Sequence, residues 1–434
     1  MPSPIVGYAG LTHLGLNSAA ASADKGFNVI GFHNDTDYVS AINNGQLPIT
    51  EPGLDALIKK NRSRLTFSDD INNLDQCDIV YISVDVPTDD QGNSELNPIK
   101  DIISITEAIM RPDALLVILC QVPPGFTREL SRAPDQLYYQ VETLIFGRAV
   151  ERATLPERFI IGCANPDQNL DSRLEKYLNA FDCPILPMRY ESAELAKISI
   201  NMCLVASVSV ANTMAEICEN VGANWTEIIP SLKLDKRIGE FSYLKPGLGI
   251  AGGNLERDLN TIIQLSKMHK IDSGVVAAWV KNSTHRKEWV WHILKGKVLH
   301  SNPNARIGIL GLAYKENTHS TKNSPSLALL KHLDGLTVCV HDPVVSSDVV
   351  GIPVSSSLKA EDVANEADAL AIMTPWPEYA KLDLDKISLL MSGRIIIDPY
   401  AILDRQQVKR TGLEYFTLGF SELPEQTVGL TINA

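Results

Sequence analysis

At 434 residues, the chain is too long for one ordinary core, and two or three domains are expected. Hydrophobic residues make up 44% and charged residues 21%, the balance of a globular chain, and no apolar run approaches a bilayer-spanning length of roughly 20 residues. The net charge of −13 argues against nucleic acid as a partner, because binding a phosphate backbone calls for clustered Lys and Arg.

In chain order, MPSPIVGYAG lacks the basic start and apolar core of a signal peptide, so a cytoplasmic protein with no membrane partner is expected. IVGYAGLTHLG (5–15) reads as a strand, a glycine turn and a helix start, an arrangement that aims backbone N–H groups at a pyrophosphate. Read as G-x-G-x-x-G, it keeps Gly7 and Gly10 and puts Ile5 where the first glycine belongs. LGLNSAAASADKG has helical period and a closing glycine. FNVIGF (27–32), CDIVYISV (77–84), ALLVILC (114–120) and RFIIGC (158–163) read as buried strands, and their alternation with helices predicts a parallel sheet. An acid is expected after the second strand to hold the adenosine ribose; His33 stands there, with Asp35 two residues on, and no arginine follows to suggest NADP.

From Tyr190 to about Val298 the strand signals fade. ESAELAKISINMCLVASVSVANTMAEICENVGA predicts one long helix ending at Gly222, with Asn224 capping the next. Lys197 and Asn201 are four residues apart and leave the same helix face, which suits proton relay and the placing of a hydroxyl, or equally a plain solvated face. YLKPGLGIAGGNLERD (243–258) carries four glycines, so its backbone can fold closely against a ligand. After Asn302 the alternation returns in RIGILGLAYK, LTVCVHDP, ADALAIMTPW and GRIIIDPY. The fold class expected is α/β, with two Rossmann-like doubly wound domains (1–187 and 299–434) bridged by a central helical domain (188–298) that supports dimerisation. The seven cysteines are scattered without metal-ligand spacing, so reduced, buried thiols and no metal site are expected.

The glycine segment resembles the signature loop of the UDP-glucose/GDP-mannose 6-dehydrogenase family, roughly G-x-G-F-G-G-S-C-x-P-K-D. Further family words recur in order: NNGQLPITEPGL, SVDVPTDDQGNSELN, ESAELAKISIN, LGLAYKENTHSTKNSP, HDP and TPWPEY. The resemblance spans essentially the whole chain. It implies an NAD-dependent dehydrogenase acting at the C6 hydroxyl of a UDP-sugar or GDP-sugar, UDP-glucose foremost, assembled as a homodimer. It assigns Lys197, Asn201, Asp258 and Glu142 to catalysis. It puts the cofactor against Gly7, Tyr8, Ala9, Gly10, Leu11, His33, Asp35, Val86, Pro87, Gln121 and Lys322. The substrate falls to Arg237, often lent by a neighbouring subunit in the family, and to Phe241, Tyr243, Leu244, Lys245, Gly249, Tyr314 and Lys315.

The departures from the family cluster on chemistry. Asn254 stands at the nucleophilic cysteine, Gln121 at the water-positioning threonine, and Phe146 at a glutamate tied to the later half of the cycle. Oxidising an aldehyde to an acid ordinarily passes through a thiohemiacetal, which an amide cannot form. Cys203, on the helix face opposite Asn201, is expected in the core and not as a replacement. The leading expectation is therefore alcohol oxidation stopping at the aldehyde or reaching the acid slowly through a hydrate. Two alternatives are a relative that binds nucleotide sugar without oxidising it, and a dehydrogenase for a different sugar nucleotide.

Overall fold

The computed structural model describes residues 3–86 and 94–421, and the chain forms two compact units, Met1–Ile200 and Asn201–Ala434. The first is built on eight strands: β1 (Val6–Ala9), β2 (Val29–Phe32), β3 (Leu65–Ser68), β4 (Ile79–Ile82), β5 (Leu115–Ile118), β6 (Leu137–Gln140), β7 (Phe159–Cys163) and β8 (Ile185–Arg189). They lie in the order β3-β2-β1-β4-β5-β6-β7-β8, parallel throughout except where β6 meets β7. β1, β2, β4 and β5 are buried on both faces, which is why they read as unbroken apolar runs. The order reverses between β1 and β4, and ligands of open α/β sheets bind at such a reversal, beyond the carboxyl ends of the strands.

The second unit carries a six-stranded, all-parallel sheet. Its strands are β9 (Arg306–Leu310), β10 (Thr337–His341), β11 (Ser355–Ser356), β12 (Ala369–Ile372), β13 (Ile395–Ile397) and β14 (Glu414–Phe416), ordered β11-β10-β9-β12-β13-β14. Both sheets are α/β and doubly wound in order, as the alternation predicts.

The long helix runs Tyr190–Val221, and Gly222 follows at φ 78°. Asn224 then caps Trp225–Leu234 by accepting the Thr226 N–H at 3.0 Å. By length and composition the long helix would suffice to cross a membrane, alone among the described residues, although the core helix of a soluble protein passes the same test. Five cysteines are buried and Cys183 is half-buried, but Cys203 is exposed, against expectation. It does lie opposite Asn201 by helical rotation. However, that face of the helix is left open by the described residues, and apolar Val210, Met214, Ile217 and Val221 are exposed further along the helix.

Candidate active site

The turn after β1 sits in a different frame from the one the glycines first suggest. Gly7, Tyr8 and Ala9 belong to β1, not to the turn. A Cβ at Gly7 would lie 2.9 Å from Cys77 Sγ, so this glycine serves strand packing. Tyr8 is buried, its hydroxyl bonded to Ser22 (2.7 Å) and Tyr177 (3.0 Å), and its side chain is not available to a cofactor. The turn proper starts at Gly10, at φ 106°, and the helix His13–Asp24 follows. A Cβ at Gly15 would lie 1.8 Å from the Gly10 carbonyl oxygen, so the helix start rests on the turn through a bare backbone. Gly10, Thr12 and Gly15 therefore hold the i, i+2, i+5 positions of the fingerprint. The i+2 position, where the backbone approaches a pyrophosphate, is Thr12. Leu11 is buried and offers only backbone, its carbonyl accepting from the Tyr38 hydroxyl at 2.7 Å.

At the end of β2, His33 stacks on Tyr38 at 4.1 Å, and burial lowers its pKa, so the ring is neutral at pH 7. His33 Nδ1 accepts the Asp35 N–H at 3.2 Å. The Asp35 carboxylate caps the helix Thr36–Asn43 by accepting the Tyr38 N–H at 3.0 Å. Val86 is half-buried against the core, Gln121 is half-buried, and Pro87 lies outside the described residues.

Beyond β6, Glu142 pairs with Lys197 at 3.1 Å, both mostly shielded from solvent. Glu142 also accepts the Leu144 N–H, which fixes its rotamer. Two buried carboxylates that the sequence reading passed over shape this region. Glu194, one helical turn before Lys197, accepts the Gly125 (2.6 Å) and Thr127 (2.8 Å) N–H groups and pins the loop after β5 to the long helix. Glu51 accepts from Gly147 (3.0 Å) and Ala149 (2.8 Å) and meets His13 at 2.8 Å. Both lie within family words, ELAK and ITEPGL, which was the signal available for them. The His13 ring packs on Phe146 at 4.2 Å. Burial pushes the Cys120 thiol up to about 12, so it supplies no thiolate at neutral pH.

In the second unit, Asn201 donates to Asp258 at 2.5 Å; Asp258 is 1% exposed, with Arg257 at 3.6 Å on its other oxygen. Asn254 is the first residue of the helix Asn254–His269 and is exposed. The glycine loop before it is braced on several sides. The Ile250 N–H donates to Ser283 Oγ (2.7 Å), Gly247 N–H to Asn212 (2.8 Å), and Gly252 N–H to the Lys322 carbonyl (3.0 Å). Gly249 and Gly252 both sit at φ 78°; added Cβ atoms would fall 2.4 Å from the Ser283 carbonyl oxygen and 3.1 Å from the Tyr314 ring. Lys315 Nζ lies 5.8 Å from the Tyr314 ring centroid. Lys287, which sequence reasoning missed, bonds Asn323, itself 3.4 Å from the Ile250 carbonyl.

The rest of the substrate strip is not gathered here. Arg237 pairs only locally, with Asp235 at 2.6 Å, and its side chain is 88% exposed. Phe241, Tyr243 and Lys245 are exposed. Leu244 is buried with Ala211, Ala215 and Trp225, its carbonyl accepting the indole N–H at 2.8 Å; it holds the helical core and presents no side chain to a ligand.

Residues 5–181 match the NAD binding domain of the UDP-glucose/GDP-mannose dehydrogenase family, 191–284 its central domain and 308–405 its UDP binding domain. The chain belongs to this family. It is similar to UDP-glucose 6-dehydrogenase TuaD of Bacillus subtilis (28% identical, covering 95% of this chain and 93% of the relative). It is also similar to the UDP-glucose 6-dehydrogenase of Rickettsia conorii (29%, 95% and 98%). The fold matches that of a UDP-glucose dehydrogenase from Pyrobaculum islandicum, with a TM-score of 0.84 at 24% identity, over 96% of this chain and 98% of that one.

Family membership makes the cofactor NAD and the enzyme class an NAD-dependent oxidoreductase acting on CH–OH. The turn itself fits a dinucleotide at two of its three positions: Gly10 supplies the left-handed bend and Gly15 the bare helix start.

Proposed function

We propose that this member oxidises the C6 hydroxyl of a UDP-hexose, UDP-glucose foremost, and releases the aldehyde or its hydrate. The reading rests on one observation. A single helix, Tyr190–Val221, carries both polar residues that the chemistry requires, Lys197 bonded to Glu142 and Asn201 bonded to Asp258. In a mostly apolar helix, each of these residues has a partner that holds its rotamer.

Lys197 and Asp258 take up and pass on the hydroxyl proton, a transfer for which a positioned group contributes about 10²–10⁴-fold. Asn201 orients the Asp258 carboxylate, and Glu142 holds Lys197 in place. NAD, when bound, accepts the hydride. Gly10, Thr12 and the start of His13–Asp24 would hold its diphosphate, with His33, Asp35, Val86 and Gln121 as further contacts, and the family word assigns Lys322 to it as well. Tyr314, Lys315, Gly249 and the exposed Arg237, Phe241, Tyr243 and Lys245 take the sugar nucleotide, Arg237 being open to a neighbouring copy. The protein is a cytoplasmic homodimer joined through the helical region 188–298. Asn254 supports the aldehyde stop because it stands at the nucleophile's position without a thiol.

A panel of UDP- and GDP-sugars with NAD, read by NADH absorbance and product mass, tests this. The expected result is one NADH per sugar and an aldehyde mass. Two NADH and an acid, at rates usual for dehydrogenases, would refute the stop. Sugar-nucleotide binding without any NADH would favour a binding-only relative, which the departures at Thr12, His33, Gln121, Phe146 and Asn254 motivate.

A further inference from the structure

We propose that Lys287 and Asn323 clamp the backbone of Ile250 and so hold the glycine loop 247–253 in its ligand-binding shape, which makes both of them positioning residues for the sugar nucleotide. The inference rests on the reading of that loop as part of the substrate strip. Neither residue is among those that the family resemblance assigns.

One helix grips the loop. Ser283 and Lys287 stand four residues apart at the end of helix Gly274–Lys287, so they share a face. Ser283 Oγ accepts the Ile250 N–H at 2.7 Å, and the Ser283 carbonyl oxygen fills the space beside Gly249. Lys287 reaches the other side of Ile250 through a link. Its ammonium donates to the Asn323 side-chain oxygen, and the Asn323 amide donates to the Ile250 carbonyl at 3.4 Å. The Ile250 side chain packs in a core with Val205, Leu259 and Val276, the last of them on this same helix. Amide, carbonyl and side chain of Ile250 are therefore all held.

Asn323 is suited to the link. Its backbone is left-handed at φ 56°, a conformation that asparagine tolerates better than most side chains. The residue before it, Lys322, accepts the Gly252 N–H at 3.0 Å, two positions ahead of Asn254. Lys287 itself is half-buried, and burial lowers its pKa while the Glu256 charge opposes that shift. A bond from an ammonium to an amide oxygen is charge-assisted and stronger than a neutral one, so it pins the Asn323 rotamer on which the loop depends.

Hydrogen exchange read by mass spectrometry, with calorimetric titration of UDP-glucose and of NAD, tests this on the full-length chain. The set is the wild type, Lys287→Met, Asn323→Gly and the double variant. Asn323→Gly keeps the left-handed backbone and removes only the amide, so it serves even if Lys287→Met folds poorly. Each single variant is expected to exchange faster within 247–253 and to bind UDP-glucose on the order of tenfold more weakly, with NAD unchanged. The double variant should be no weaker than either single, because both residues act through one link. Losses that add would overturn the clamp and make Lys287 a separate contact. Unchanged exchange in both singles, or an equal loss for NAD, would overturn it as well. If the wild type binds NAD but no UDP-glucose, the substrate reading falls, and exchange at 247–253 alone decides the clamp.

Discussion

Asn201 donates its amide to Asp258 at 2.5 Å, onto a carboxylate that is 1% exposed. Removing it takes one donor from a buried carboxylate that also meets Arg257 at 3.6 Å. Asn201→Ala is therefore expected to lower stability by about 1–3 kcal/mol, the usual cost of taking a donor from a buried acceptor. Chemical denaturation measures that loss. NADH production should fall at the same time, since the proton-handling carboxylate loses its orientation.

Lys197→Met tests the partner pair. Glu142 is mostly shielded and would lose its cation at 3.1 Å. The turnover number should drop about 10²–10⁴-fold, with KM for the sugar nucleotide changing far less. A rise in KM with the turnover number unchanged would reassign Lys197 to binding.

Asn254→Cys should convert an aldehyde-releasing chain into one that reaches the acid. Position 254 opens the sixteen-residue helix Asn254–His269, where the helix dipole lowers a thiol pKa. Product mass and NADH stoichiometry should move from one to two NADH per sugar. A reactive thiol with unchanged product would show that Gln121 or Phe146 also blocks the second oxidation.

Gly249→Ala combines a left-handed backbone at φ 78° with a Cβ 2.4 Å from the Ser283 carbonyl oxygen. A loss of about 1–3 kcal/mol is expected from the strained backbone, with more from the clash. Gly247→Ala meets nothing within 4 Å and serves as the mild comparison. Thermal melts of the pair separate loop geometry from glycine content.

Ile217→Glu addresses assembly. Ile217 is exposed on the long helix, in line with Val210, Met214 and Val221. If that face joins two copies, sedimentation of the variant should give a monomer where the wild type gives a dimer. Identical sedimentation of the two would remove this face from the interface.

The strands that seed both sheets were legible because each is buried on both faces and reads as a continuous apolar run. β3, β6, β8, β11 and β14 were not. LTFS alternates burial, ILPMR carries a proline and is half exposed, and Ser355–Ser356 is only two exposed residues. The fingerprint was found but misframed. Gly7 is a strand glycine packed on Cys77, and it drew the pattern away from Gly10, Thr12 and Gly15. Lys197, Glu142, Asn201 and Asp258 came from family words, and the structure gives each a partner. Leu244 was misassigned for a physical reason: within a glycine-rich strip, sequence alone does not separate the residue that anchors the strip from those that face outward.

Glu51 has a wider consequence. Its buried carboxylate gathers the N–H groups of Gly147 and Ala149 together with the His13 ring, so the segment carrying Glu142 is tethered at its far end by a residue 96 positions upstream of Gly147. Positions 143–146 form the span of a bridge whose abutments are set elsewhere. Glu142 keeps its bearing through that tether and the Leu144 N–H, while Phe146 rests on the same His13 ring that Glu51 meets.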